Sequence, residues 1–357
     1  MPSGVSICGG ARYGREVAGG TGIMFDDRML AHDPGAGHPE RPDRLRVLND
    51  RWREAPGLVR IGARVASEDE IGRVHDLRHV ERVAATAGRA RVVFDADTSA
   101  SARSYEAACV AAGGLVDLCE AVRTGEVANG FALVRPPGHH AERGRAMGFC
   151  LFNNVAVAAA TLRARGIARV CIVDWDLHHG NGTQDLFEDD PDVLYVSTHQ
   201  YPCYPGTGAA TEVGQGTGAG RTLNLPFPAG FGDAEFARAF DEIVVPIARQ
   251  FAPDFVLVSA GFDCDGRDPL GGLDVTPAGI AMMARACRRI ADETAGGRIV
   301  AVLEGGYDLD AISEGVATVL DVLRGATTTP RLVTGDAHRA EGVISRVRAA
   351  QSAFWTL

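Results

Sequence analysis

Metal-binding side chains follow an apolar segment near the middle of the chain. Residues 169–173 (RVCIV) are typical of a buried strand, and Asp174, Asp176 and His178 follow at alternate positions. In extended backbone alternate residues share a face, so these three side chains are predicted to project toward one point. Carboxylate oxygen and imidazole nitrogen both bind a cation of the zinc type, and a catalytic site supplies three protein ligands. Two ligands in this segment leave one missing, and Asp263, beyond the apolar run 255–260, is the candidate for it. The segment therefore predicts a metal site at the end of a strand.

Three further apolar segments end in polar residues of the same chemical kind. Residues 131–134, 255–260 and 298–303 are rich in Val, Leu and Ile, which is typical of parallel strands buried on both faces. In open α/β sheets ligands bind beyond the carboxyl ends of the strands, so the polar residues that follow the four apolar segments are predicted to meet at one edge of the sheet. The polar residues that follow these three segments are His139, His140, Asp263, Glu304 and Tyr307.

The length and composition predict one large α/β domain. The chain has 357 residues, and no Ser/Pro-rich linker, charge block or low-complexity tract divides it. A hydrophobic content of 46% with 44 glycines suits buried strands, tight turns and small-residue helices such as 153–162 and 278–291. We expect an open, mostly parallel central sheet with helices on both faces. Residues 1–20 are predicted to form a flexible extension to a domain spanning 21–357, in which 330–357 form a helical tail docked on the domain.

The net charge and the spacing of the cysteines limit the classes of protein to which the chain can belong. The net charge of −10 argues against a nucleic-acid partner and is mildly permissive for cationic substrates. The eight cysteines contain no C-x-x-C pair, which favours reduced thiols in a cytoplasmic enzyme. Residues 1–21 lack the apolar core of a signal peptide, and no apolar run approaches the ~20 residues that span a bilayer. No membrane association is expected, and the oligomeric state stays open.

The motifs resemble those of the histone deacetylase family, in particular its class II-like branch, bacterial deacetylases and acetylpolyamine amidohydrolases. They occur in family order over roughly residues 21 to 325. The matching segments are 38–44 (HPERPDR), 135–140 (RPPGHH), 148–154 (GFCLFNN), 174–184 (DWDLHHGNGTQ), 204–208 (YPGTG), 261–263 (GFD), 268–272 (DPLGG) and 303–307 (LEGGY). The resemblance implies the arginase-deacetylase fold, a three-layer α/β sandwich.

The resemblance also implies a set of catalytic roles. One zinc ion per chain would be held by Asp176, His178 and Asp263, with ferrous iron left open as the metal in the cell. His139 would pair with Asp174 and stabilise charge, whereas His140 would pair with Asn181 and act as general base and acid. Tyr307 would donate its hydroxyl to the developing oxyanion. The implied activity is hydrolysis of the acyl amide on the ε-amine of lysine.

Substrate and potassium sites follow from the same resemblance. Phe149 and Tyr204 match the aromatic pair that holds the aliphatic stem of an acyl-lysine, and the carbonyl of Gly148 would accept from the scissile N–H. Leu270 stands where polyamine-selective relatives carry an acidic gatekeeper, which tilts the expected substrate toward acyl-lysine peptides. Two structural potassium sites would use Asp174, Asp176, His178, Ser197 and Thr198 in the first, and Phe187, Asp190 and Val193 in the second.

Several alternatives remain at this point. An acetylpolyamine deacetylase would share the mechanism. A binuclear manganese ureohydrolase shares the fold, and Asp265 beside Asp263 could bridge two ions. A non-catalytic acyl-lysine binder is disfavoured because every ligand and the Tyr307 donor are present. The glycine-rich residues 213–220 lack the helix that would follow a nucleotide-binding loop and are predicted to form a flexible or tightly turning loop. Asn181 also begins a glycosylation sequon, and the imidazole-partner role is favoured because no secretory signal is present.

Overall fold

The parallel strands predicted from the sequence form one large sheet. The computed structural model describes residues 19–326 and 335–357, so most of the predicted extension 1–20 and the start of the predicted tail 330–357 lie outside the described residues. The strands are β1 (Thr21–Met24), β2 (Leu58–Ile61), β3 (Val92–Val93), β4 (Ser99–Ala100), β5 (Asn129–Ala132), β6 (Val170–Asp174), β7 (Val193–Gln200), β8 (Thr222–Phe227), β9 (Phe255–Ala260) and β10 (Ile299–Leu303).

Eight of these strands pair in the order β2-β1-β5-β10-β9-β6-β7-β8. Every pairing in this sheet is parallel, and β3 and β4 form a separate antiparallel hairpin. Every residue of β5, β6, β9 and β10 is buried, as the largely apolar segments predict for strands covered on both faces. These four strands are adjacent at the centre of the sheet. Their carboxyl ends therefore meet at one edge, and the predicted α/β fold is confirmed.

Helices flank the sheet. They are α1 (Asp43–Trp52), α2 (Glu68–Gly72), α3 (Leu77–Ala84), α4 (Ser104–Thr124), α5 (Asn154–Ala164), α6 (Asn181–Phe187), α7 (Asp233–Ala239), α8 (Val245–Phe251), α9 (Pro277–Thr294), α10 (Leu309–Leu323) and α11 (Glu341–Gln351). A π-helical turn, Phe240–Val244, joins α7 to α8. Short 3-10 helices occupy Asp27–Ala31, Gly216–Gly218 and Ala337–Ala340. No helix in the described part of the chain is both long and apolar enough to cross a bilayer.

Local chemistry sets where the helices near the site begin. Asn153 caps α5 by accepting a hydrogen bond from the Ala156 amide, and Asp308 caps α10 by accepting from Ala311. Such caps satisfy amide groups that have no partner within the helix. Both helices begin directly after loops that carry motif residues, so the caps fix the loop ends as well as the helix ends.

The C-terminal segment packs against the outer strand of the sheet. Helix α11 contacts β8, and the Gln351 side-chain amide donates to the Thr222 carbonyl at 2.8 Å. The Trp355 indole donates to the Gly220 carbonyl at 2.8 Å. An edge strand exposes unpaired backbone groups, and this segment covers part of that edge.

Candidate active site

Three ligand side chains converge where β6 and β9 end. One ligand atom from each of Asp176, His178 and Asp263 lies within 4.8 Å of the others. The Nδ1 atom of His178 is 3.0 Å from Asp263 Oδ2 and 3.3 Å from Asp176 Oδ1. Asp174 does not join them, because its carboxylate lies against His139 and the Tyr195 hydroxyl. The alternation rule was therefore wrong for Asp174, since the chain leaves the strand after this residue and strict alternation ends there.

Two glycines make room for the ligand carboxylates. A Cβ atom on Gly261 would lie 2.1 Å from Asp176 Oδ2, and one on Gly305 would lie 2.3 Å from Asp263 Oδ2. Backbone amides also orient both carboxylates: Gly305 N–H donates to Asp176 at 2.7 Å, and Leu177 N–H donates to Asp263 at 2.9 Å. Each carboxylate is therefore held on one side by backbone and directed toward the other ligands on the opposite side.

The donor set fits a divalent cation of the zinc type. Two buried carboxylates face each other across the imidazole of His178, and this arrangement is electrostatically costly without a cation. Burial, together with repulsion from Asp176, raises the pKa of Asp263 to about 7. Two carboxylate oxygens and one imidazole nitrogen are the number and kind of ligands used in catalytic zinc sites.

The two histidines of the 135–140 loop lie beside this cluster and have different partners. His139 Nδ1 is 3.0 Å from Asp174 Oδ2, and His140 Nδ1 is 2.8 Å from Asn181 Oδ1. Although burial disfavours its charged form, Asp174 and Asp176 raise the pKa of His139 to about 10. Burial lowers the pKa of His140 well below its usual range, and the charge of His139 lowers it further. These shifts favour a charged His139 beside a neutral His140, and the centres of the two rings are 4.1 Å apart.

A strained turn holds two of the predicted substrate-channel residues, Gly148 and Phe149, near His140. Gly148 and Phe149 both have positive φ, at 56° and 68°. A Cβ atom on Gly148 would lie 2.3 Å from His140 Cδ2, so only glycine fits here. Phe149 is only partly buried, and its amide is fixed by the Thr98 hydroxyl at 3.0 Å. The turn therefore brings the Gly148 carbonyl and the Phe149 ring next to the catalytic candidates.

Two aromatic rings among the remaining predicted channel residues lie close to His140 and Phe149. The Tyr307 ring is 5.9 Å from that of Phe149, and the Tyr204 ring is 5.2 Å from that of His140. Tyr204 and Leu270 are 37% and 40% exposed, so both lie at the surface rather than in the core. Burial raises the pKa of Tyr307 well above its usual range, so its phenol keeps its proton and can donate.

Buried charged residues behind the site had no predicted role. The Glu304 carboxylate accepts from the amides of Gly138 and His139 at 2.7 and 3.2 Å, and from the Ser259 hydroxyl at 3.0 Å. Arg44, itself fully buried, donates to the Glu304 carbonyl and lies 4.9 Å from the centre of the Tyr307 ring. The sequence showed only that Glu304 is an acid directly after a buried strand, and this position does not identify the groups that Glu304 contacts.

Asp268 is a second carboxylate without a predicted role. It accepts from the backbone amides of Tyr307, Asp308 and Leu270, at 2.6, 3.2 and 3.0 Å. It therefore joins the loop that carries the phenol to the loop that forms the rim. The two loops are about 40 residues apart in the chain, so local sequence patterns do not predict the hydrogen bonds between Asp268 and the Tyr307 loop.

Several other predicted features can be placed in the fold. Ser197 and Thr198 lie in β7, and Ser197 is the register partner of Asp174 in β6. Phe187, Asp190 and Val193 lie around the turn from α6 to β7. Asp265 pairs with Arg267 at 2.8 Å and does not join the ligand cluster. The glycine-rich residues 213–220 form a turning loop that contains the 3-10 helix Gly216–Gly218.

Comparison with known proteins gives concordant matches over most of the chain. The family model described as the histone deacetylase domain matches residues 38–323. Histone deacetylase 15 of Arabidopsis thaliana is 44% identical over 349 residues, which cover 94% of this chain and 62% of that protein. A probable deacetylase of Archaeoglobus fulgidus is 40% identical over 81% of this chain and 82% of its own length. Human polyamine deacetylase HDAC10 is 40% identical over 94% of this chain and 53% of its own length.

A solved structure matches the fold as well. The crystal structure of the HDA15 HD domain superposes with a TM-score of 0.87 at 44% identity, covering 94% of this chain and 95% of that one. Two of the curated relatives named above extend well beyond the matched region, since the chain spans about half to two thirds of their length.

Proposed function

The chain belongs to the histone deacetylase family, and from that premise we propose that it is a zinc-dependent hydrolase that removes acyl groups from the ε-amine of lysine in peptides or proteins. The observation that carries the proposal is that Asp176, His178 and Asp263 converge beside His139, which lies against Asp174, and beside His140, which lies against Asn181. The pKa shifts favour a charged His139, a neutral His140 and a protonated Tyr307. Hydrolysis of an amide needs a base, an oxyanion donor and positive charge near the carbonyl, and these groups can supply all three.

Asp176, His178 and Asp263 would hold the metal ion. When bound, zinc would polarise the acyl carbonyl and lower the pKa of water toward ~7. The remaining steps belong to side chains of this protein. Zinc is proposed over iron on the donor set alone, with one ion per chain.

His140 would carry the proton of the reaction. Its neutral form at ordinary pH leaves one ring nitrogen free to take a proton from the attacking water, because Nδ1 is occupied by Asn181. The same nitrogen would then give that proton to the departing amine. His139 remains protonated beside Asp174 and supplies fixed positive charge. The different partners of two adjacent histidines thus divide proton transfer from charge stabilisation.

Tyr307, Phe149, Tyr204 and Gly148 would position the substrate. The Tyr307 hydroxyl donates to the oxyanion that develops on the acyl carbonyl. The aliphatic stem of lysine would lie between Phe149 and Tyr204, with its amide N–H directed to the Gly148 carbonyl. Leu270 at the rim gives this opening an apolar side, which favours a peptide-linked acyl-lysine over a free polyamine.

Potassium ions at the two predicted sites would serve as structural cations. The first would lie between the ends of β6 and β7, where Asp174 and Ser197 are register partners. The second would lie at the turn that leads into β7. A cation beside Asp174 would moderate the influence of that carboxylate on His139. We also propose a cytoplasmic location, in keeping with the free thiols of all the described cysteines.

A second candidate substrate is an acetylated polyamine, because one relative is named a polyamine deacetylase. Turnover of a fluorogenic acetyl-lysine peptide and of N-acetylputrescine separates the two. We expect zinc-restored enzyme to prefer the peptide. A preference for N-acetylputrescine would reject the lysine assignment and retain the mechanism, whereas failure on both substrates with zinc bound would reject the proposed hydrolysis.

A further inference from the structure

Asn181 is the middle member of a chain of three polar side chains. Its Oδ1 atom is 2.8 Å from His140 Nδ1, and its Nδ2 atom donates to Glu142 Oε1 at 2.8 Å. The same Nδ2 atom also lies 3.4 Å from the Met147 sulfur. Asn181 is buried and Glu142 half-buried, so the carboxylate reaches the amide from the rim of the site.

The chemistry of the outer members sets the direction of every hydrogen bond in this chain. An ionised carboxylate and a thioether only accept hydrogen bonds, so both neighbours on this side require the NH₂ end of Asn181. The amide oxygen must therefore face His140. An oxygen in that place requires a proton on His140 Nδ1, and neutral imidazole carries only one proton. His140 Nε2 is then left with its lone pair free.

We propose that Glu142 is a positioning residue that fixes the tautomer of His140 through the side-chain amide of Asn181. This inference rests on the proposed function, because a free Nε2 lone pair is what a general base needs. With Glu142 present, the reversed amide would place its oxygen against a carboxylate, although its NH₂ group could donate to Nδ1 in the other tautomer of His140. Without Glu142, this penalty on the glutamate side is removed and only the weak acceptor sulfur of Met147 orients the amide.

The same logic predicts how Glu142 and residue 181 depend on each other. An aspartate at position 181 could accept from His140, but its second oxygen would meet the Glu142 carboxylate at hydrogen-bond distance with no proton between them. A glutamine at position 142 would restore a donor for that oxygen. The effect of Glu142→Gln should therefore change sign between the two backgrounds.

The kinetic experiment compares Glu142→Ala, Glu142→Gln, Asn181→Asp and the double variant Asn181→Asp/Glu142→Gln in zinc-loaded enzyme. We expect Glu142→Ala to lower kcat about tenfold with little change in KM, the size of effect of losing one hydrogen bond to a charged group. Glu142→Gln should lower kcat slightly beside Asn181 and raise it at least tenfold beside aspartate. A change of the same sign in both backgrounds would overturn the proposal. Glu106→Gln, at a half-buried glutamate paired with Arg103, is the matched control for charge removal.

The tautomer itself can be observed without catalysis. In zinc-loaded enzyme labelled with ¹⁵N-histidine, with the His140 signals identified by their loss in His140→Ala, we expect neutral His140 to carry its proton on Nδ1. Glu142→Ala should mix the two tautomers. A proton on Nε2 in the unmodified enzyme, or no change in Glu142→Ala, would reject the role of Glu142. Because this measurement needs no substrate, it tests the inference even if the enzyme hydrolyses none of the amides offered.

Discussion

Replacing Glu304 with alanine should destabilise the protein strongly, because this buried carboxylate anchors the loop of the two histidines. It accepts three hydrogen bonds, from the Gly138 amide, the His139 amide and the Ser259 hydroxyl. Alanine would leave the two backbone donors without a partner in a site that solvent does not reach. A buried donor without a partner costs about 1 to 3 kcal/mol, so the two amides together predict a loss of about 2 to 6 kcal/mol.

Glu304→Gln is the matched control, because its side-chain oxygen can still accept from both amides and its NH₂ group can donate to the Ser259 hydroxyl. We expect this variant to lose at most about 1 kcal/mol. Urea unfolding followed by circular dichroism measures both free energies of unfolding. A loss below about 1 kcal/mol for Glu304→Ala, or equal losses for the two variants, would refute the anchoring role.

The difference in stability between the unmodified chain and Glu304→Gln should depend on pH, and the sign of that dependence can be predicted. Burial raises the pKa of Glu304 from 4.5 to about 7, against the opposing charge of His139. The native carboxyl therefore keeps its proton to higher pH than the unfolded one, and its contribution to stability is lost as pH rises from 4.5 through 7. The difference corresponds to about 3 kcal/mol at most. In chelator-treated protein, the stability of Glu304→Gln relative to the unmodified chain should rise over this window, and a pH-independent difference would contradict the assignment.

Three further substitutions test the site. Tyr307→Phe should lower turnover of an acetyl-lysine peptide at least a hundredfold with unchanged thermal unfolding, because it removes only the oxyanion donor; near-normal turnover would reject that role. Leu270→Glu should raise the ratio of N-acetylputrescine to peptide turnover at least tenfold, with Leu270→Gln as the uncharged control, and an unchanged ratio would remove Leu270 from substrate choice. Gly148→Ala should cost about 2 to 4 kcal/mol of stability, since the new methyl group meets His140 at positive φ. Gly166→Ala, also at positive φ but with no atom near its Cβ, isolates the backbone part; equal losses would show that the contact with His140 is unimportant.

The sheet could be predicted because its central strands are apolar segments that stand out in the sequence. Residues 255–258 and 299–303 are unbroken apolar runs, and such runs occur where both faces of a strand are covered. The edge at which their polar tips meet follows from the parallel arrangement. Strict alternation does not hold beyond the end of a strand, because the chain turns after Asp174 and directs that carboxylate to His139 instead of to Asp176, His178 and Asp263.

The supporting residues could not be predicted from local patterns. Glu304 and Asp268 act by accepting backbone amides from segments 166 and 39 residues away in the chain. Glu142 reaches Asn181 across 39 residues, and nothing in the motif around it distinguishes it from a solvated surface acid. Contacts of this kind depend on how the loops fold back over the sheet. The spacing of residues in a single sequence does not show which loops come together.

The most direct test of zinc-dependent hydrolysis is a zinc titration of chelator-stripped enzyme, with metal content and acetyl-lysine peptide turnover measured on the same samples. We expect no turnover in stripped protein and recovery that saturates at one zinc ion per chain, held by Asp176, His178 and Asp263. Turnover that survives stripping, or activity that requires two tightly bound ions per chain, would contradict this expectation.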